Sequence, residues 1–135
     1  MSKRSEVIKI FESAAREAGK LINKEFGKVT ESKMQSKDLG DFVTNTDLET
    51  ENILLNILKK HFPNSSYLTE ESDPFKGNEE TIVIDPIDGT SNFIHGIPSI
   101  GIVIAKVHKE EITDGIIFNP VSDELFFATK DKGAW

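Results

Sequence analysis

The chain has 135 residues, 37% of them hydrophobic and 29% charged, which suits one modest globular domain or part of a larger one. Its 23 acids against 16 lysines and arginines give a net charge of -7, which argues against a general binder of nucleic acid or anionic membrane. Cysteine is absent, so disulfides, thiolate metal sites and cysteine nucleophiles are excluded.

Residues 1–19 lack the apolar core of a secretory signal. The longest apolar run, residues 97–107, contains Pro98, Gly101 and Lys106 and falls short of a membrane span of about 20 residues. No membrane association and a soluble cytoplasmic protein are the expectations. Val7, Ile8, Phe11, Ala14, Ala15, Ala18, Leu21, Ile22 and Phe26 recur at helical spacing, predicting a first helix with Ser5 as its cap and Gly27 as its stop. Residues 28–41 are polar and without period, so they read as a loop or irregular hairpin, with Lys33 and Lys37 as ordinary solvated lysines. A second helix is predicted from a capping box of Thr46 and Glu49, with Leu48, Leu54, Leu55, Leu58 and Phe62 inward and Pro63 ending it. Asp47 falls in its first turn, where the helix dipole alone accounts for an acid.

Tyr67-Leu68 reads as a short strand leading to Glu70 and Glu71. Paired glutamates are ordinarily surface charge, but at a strand end they become candidates for a cleft. Thr81–Ile84 is a β-branched run, read as a buried strand. It runs into Asp85-Pro86-Ile87-Asp88, which has the chemistry of a type I turn, Asp first and Pro second. Such a turn holds its ends within about 7 Å. Two carboxylates about 4 Å apart repel by roughly 4 kcal/mol at an effective dielectric near 20. A cation or a shared proton removes that cost. Gly89 then permits close backbone approach, and Thr90 opens a short segment resembling a helix's first turn. Free N–H groups of Gly89, Thr90 and Ser91 suit an anion. Acids for a metal beside amides for a phosphate are the parts of a metal-dependent phosphatase. Asp-Pro and Asp-Gly are also common in plain solvated turns; the preceding strand and the upstream acids favour a site.

Beyond Gly96 the pattern turns to strands at Ser99–His108, Ile112–Asn119 and Glu124–Thr129, joined by short turns as an antiparallel meander. Phe118, Phe126 and Phe127 read as core. Ala134-Trp135 opens one more strand, where the chain stops, so a truncated protein is expected.

DFVTNTD (41–47), TEES (69–72) and DPIDGTSNFIHG (85–96) together resemble, in order and spacing, the motifs of the inositol monophosphatases, a group of lithium-sensitive, magnesium-dependent phosphatases. The likeness runs over residues 1–135 but covers only the N-terminal half of a typical member. It implies an α+β fold in which two helices pack on an antiparallel sheet, half of the layered sugar-phosphatase architecture. It implies Mg2+ held by Glu70, Asp85 and the Ile87 carbonyl, with a second ion shared by Asp85 and Asp88. Thr90 and Asp47 would form a dyad that, with Glu70, orients and deprotonates the attacking water. Asp88 and the amides of Gly89 and Thr90 would bind the substrate, a small-molecule phosphate monoester. Glu71 and His95 receive no such role. The resemblance further implies a homodimeric full-length protein, no nucleic-acid partner, and bacterial relatives that also bind transcription machinery. A further metal-binding aspartate and most substrate contacts would come from the missing half, so weak activity is expected of these residues alone.

Overall fold

The computed structural model describes residues 4–28, 36–69 and 80–135, with residues 36–44 described by their backbone alone. Helix α1 spans Glu6–Glu25, and its stripe of Ile8, Phe11, Ala14, Ala15, Ala18 and Ile22 is buried. Each large apolar side chain so buried stabilises the fold by roughly 1.5–3 kcal/mol. Ser5 is the cap: its hydroxyl accepts from the Ile8 N–H at 3.2 Å and donates to Asp114 at 3.2 Å, tying the helix start to the sheet. The helix stops where Gly27 takes φ 79.

Helix α2 spans Ser36–His61, so it begins well before the expected start at Thr46. The capping box therefore does not form. Thr46 lies inside the helix, and its carbonyl accepts from the Thr50 hydroxyl at 2.7 Å. Leu39, Phe42, Val43 and Thr46 already carry the three- and four-residue spacing, and no proline interrupts it. The same register corrects the inner face. Leu54 and Leu58 are fully buried, whereas Leu48, one position off that stripe, is 37% exposed.

A six-stranded sheet follows in the order β1 (Ser66–Thr69), β2 (Glu80–Asp88), β3 (Gly101–His108), β4 (Glu111–Asn119), β5 (Glu124–Thr129) and β6 (Gly133–Ala134). A short helix, α3 (Thr90–Ile94), sits between β2 and β3. From β2 onward neighbours pair antiparallel, as the short turns require. β1 instead pairs parallel to β2, so the sheet is mixed rather than wholly antiparallel. The physical reason is the connection: the residues between Thr69 and Glu80 are too many for a tight hairpin and let the chain return to start alongside. The architecture is α+β, three helices on a mixed sheet.

One sheet face carries Ile82, Ile84, Ile102, Ile104, Ile116 and Phe118, all buried with the helices in one core. The other face is open. Phe127 and Phe118 face the core, but Phe126, of opposite parity on β5, is 53% exposed, against the expectation of a core residue. Among the described residues no helix is long and apolar enough to cross a membrane.

Candidate functional site

The site begins where the alternation of β2 breaks. Ile82 and Ile84 are buried and their neighbours partly so, until Asp85 pairs with Val103 and Asp88 with Gly101. Pro86 and Ile87 thus oppose the single residue Ile102, which is a β-bulge. The type I turn expected at Asp85–Asp88 does not form; the backbone remains strand through Asp88. Pro86 cannot donate to the ladder, and a bulge is where a sheet tolerates it. Pairing to β3 on both sides outweighs the local turn tendency. The bulge sets Asp85 and Asp88 level with Val103 and Gly101, two residues apart on β3, where the rise is about 3.3 Å per residue. Pro86 and Ile87 are both buried, Asp88 is exposed, and Asp85 is partly buried with its Oδ1 sealed from solvent.

Gly89 caps α3 in the left-handed region, φ 92. The tight approach is to the segment that leads into β3: a Cβ here would lie 2.9 Å from the Ser99 carbonyl oxygen. The Asn92 amide donates to the same oxygen at 2.8 Å, and Phe93, 1% exposed, anchors α3 in the core. The Thr90 hydroxyl donates to the Ile87 carbonyl at 3.4 Å. Amides in a helix's first turn have no intrahelical acceptor, so those of Thr90 and Ser91 keep the anion-binding character read from sequence. His95 meets the Ser91 carbonyl at 2.7 Å through Nδ1, a local structural contact.

Asp47 lies on α2, 9% exposed, and α2 packs against β2 and α3. One turn further, Glu51 is 1% exposed, and Thr46 and Thr50 complete a buried polar stripe. Sequence reading missed Thr50 and Glu51. The signal was present, since Glu51 stands four residues from Asp47 and three from Leu54 on the same helical face. Glu70, Glu71 and Lys33 lie outside the described residues, as does the Lys37 side chain. The strand that precedes Glu70 ends at Thr69, in register with Ile84, which immediately precedes Asp85. The structure thus holds Asp85, Ile87, Asp88, Gly89 and Thr90 on one strand-to-helix junction, with Asp47 on the helix that packs on it.

Two carboxylates and a backbone carbonyl are hard oxygen donors, which fits Mg2+ rather than a thiophilic metal. Among the described residues no three His, Asp or Glu side chains are gathered into a complete metal cage. The donor set fits the ion in kind, as a partial set.

The model of the inositol monophosphatase family matches residues 3–135. The chain belongs to the inositol monophosphatase family. It is 39% identical over 125 residues to an inositol-1-monophosphatase of Caulobacter vibrioides, covering 90% of this chain and 49% of that one. It is 37% identical over 123 residues to the Nus factor SuhB of Escherichia coli, covering 90% and 46%. Among solved structures, the suhB protein of Bartonella henselae superposes with a TM-score of 0.85 at 34% identity, over 97% of this chain and 51% of that one. The Thermotoga maritima IMPase superposes with a TM-score of 0.77 at 33% identity, over 91% and 48%. The chain spans about half the length of the curated relatives it matches.

Proposed function

We propose that the protein acts in the cytoplasm as a Mg2+-dependent phosphomonoesterase on inositol 1-phosphate or a related sugar or polyol phosphate. The observation that carries this reading is the continuous run from Asp85 through the bulge to Gly89 and Thr90. It supplies carboxylates, a carbonyl, a hydroxyl and helix-start amides within six consecutive residues.

Asp85, Asp88 and the Ile87 carbonyl, with Glu70, would hold Mg2+, which when bound supplies positive charge to offset the carboxylates and the phosphate. The amides of Gly89 and Thr90 receive the phosphate oxygens and fix the phosphorus for in-line attack. The Thr90 hydroxyl, turning from the Ile87 carbonyl to Asp47, would orient the attacking water, and Glu70 would take its proton. Phosphoryl transfer needs positioning and charge stabilisation more than covalent chemistry, so no cysteine nucleophile is required. Asp85 through Thr90 form half a site; the remaining substrate contacts come from the half of the relatives that this chain does not match.

The test is phosphate release from inositol 1-phosphate, histidinol phosphate and a nucleotide 3′-phosphate. It is measured on this chain alone and on this chain joined to the unmatched half of the Caulobacter vibrioides relative. The joined form should hydrolyse inositol 1-phosphate fastest and only with Mg2+, and Thr90→Ala should lower kcat by about 10²-fold or more. Full activity without Mg2+, or in Thr90→Ala, sinks the reading. A binding role is the second reading, supported by relatives named Nus factor SuhB. An Asp88→Asn form that keeps a protein partner in a pull-down but releases no phosphate would assign both roles.

A further inference from the structure

Helix α2 carries a row of side chains whose chemistry changes part-way along. Asp47, Glu51, Leu54 and Leu58 follow one another at steps of four, three and four residues, which places them on one face of the helix. Leu54 and Leu58 are fully buried. Glu51, 1% exposed, is buried almost as deeply, while Asp47 is 9% exposed. An apolar side chain at position 51 would continue the row, and taking a carboxylate out of water is costly even where it finds partners. Solvation does not account for Glu51, because its Oε1 is sealed from solvent. Glu49, two residues earlier, is an ordinary exposed acid by contrast. A buried position that departs from its own pattern is where function is expected to override stability.

One turn from Glu51 stands Asp47. Side chains on a helix lean toward its N-terminus, so Glu51 leans back over the turn that bears Asp47. Thr46 and Thr50 form the neighbouring row, and there the Thr50 hydroxyl donates to the Thr46 carbonyl at 2.7 Å. The helix packs on β2 and α3, the elements that carry Asp85 and Thr90. Like charges four residues apart on a helix repel, and more strongly where water is excluded. With Glu51 filling the side of Asp47 that looks down the helix toward Leu54, the Asp47 carboxylate is left the direction away from the apolar core.

We propose that Glu51 is a positioning residue for Asp47: by bulk and by charge it closes the direction toward the core, and so turns the Asp47 carboxylate to the Thr90 hydroxyl. The effect on catalysis rests on the phosphatase reading. The direction of Asp47 does not, because it follows from burial and charge along α2. An amide in place of the Glu51 carboxylate keeps the volume, removes the repulsion and adds an N–H donor that draws Asp47 back. Glu51→Asp keeps the charge with one methylene fewer.

The test uses this chain joined to the unmatched half of the Caulobacter vibrioides relative. It measures kcat, KM and melting temperature for each variant, and compares crystal structures of the parent and Glu51→Gln. On inositol 1-phosphate, Glu51→Gln should lower kcat by roughly 10- to 100-fold, as a misplacement of about 1 Å does, with KM and melting temperature held. Glu51→Asp should recover most of the parent kcat. Glu51→Leu should raise the melting temperature while kcat stays low, a trade that a merely structural carboxylate does not make. Glu49→Gln, exposed on the same helix, should change none of the three quantities. In the crystals, Asp47 should face Thr90 in the parent and turn to the new amide in Glu51→Gln. The same Asp47 direction in both structures, or a parent-like kcat in Glu51→Gln, overturns the proposal. So does a loss of kcat that tracks a fall in melting temperature and is not recovered by Glu51→Asp. A joined parent that releases no phosphate while Asp47 still turns would sink the phosphatase reading and bear out the positioning of Asp47.

Discussion

At Gly89 the backbone takes φ 92 and a Cβ would meet the Ser99 carbonyl oxygen at 2.9 Å, so conformation and space both demand glycine. Gly89→Ala should cost about 1–3 kcal/mol in denaturant unfolding, the range for a residue held in the left-handed region. A stability within about 0.5 kcal/mol of the parent, as for an ordinary surface substitution, would show that the β2–α3 junction relaxes instead. Tyr67 is the chain's single tyrosine, so its titration reads without ambiguity. Burial first, and the charge of Glu80 second, push its phenol up to about 12 from 10.0. The folded state therefore prefers the protonated form. The stability this contributes is present below pH about 10 and is lost as pH rises toward about 12. The near-ultraviolet absorbance of tyrosinate should appear only at the upper end of that window, and Tyr67→Phe should flatten the fall in stability across it. Legibility at this scale was uneven. Gly89 and Thr90 were readable because a glycine followed by a hydroxyl is a local signal. The bulge at Pro86 was not, because Asp-Pro reads as a turn until a partner strand holds it extended.

Among the elements, α1 was legible from Ser5 to Gly27, since periodicity, cap and stop agree. The start of α2 was not, because Thr46 and Glu49 serve a capping box and a helix interior equally well. The parallel pairing of β1 was also hidden, for strand direction is set by the connection and not by the strand's own four residues. The packing of α1 carries a prediction of its own. A Cβ on Gly19 would sit 2.9 Å from Pro120 Cβ and 3.0 Å from Phe118 Cε2. Alanine gains up to about 1 kcal/mol of helix propensity there. Overpacking costs about 1–3 kcal/mol, and the proline ring cannot swing aside. Gly19→Ala should thus lower the melting temperature, and a rise would mean that α1 shifts freely over the β4–β5 turn.

Over the whole molecule, long-range ties bind the first helix to the last strands. Ser5 bonds Asp114, Arg16 bonds Asp123 at 2.7 Å, and Asn23 bonds the Pro120 carbonyl at 2.9 Å. The exposed ion pair is worth little by itself, but the buried apolar layer beneath it joins both ends of the chain in one core. The α+β class and the family were legible because three separated motifs and two periodicities pointed the same way. The open face was not, because Phe126 and Phe127 look alike in sequence and only strand parity sends one of them outward. The direction of β1 has a consequence for chemistry. The two strands run the same way, and β1 ends at Thr69, level with Ile84 and just before the bulge of β2. In the sequence Glu70 follows Thr69 and Asp85 follows Ile84, so the parallel pairing sets the two residues that precede these carboxylates side by side. Reverse the four-residue strand, and its exit would move level with Thr81, three residue steps or roughly 10 Å away at about 3.3 Å per residue.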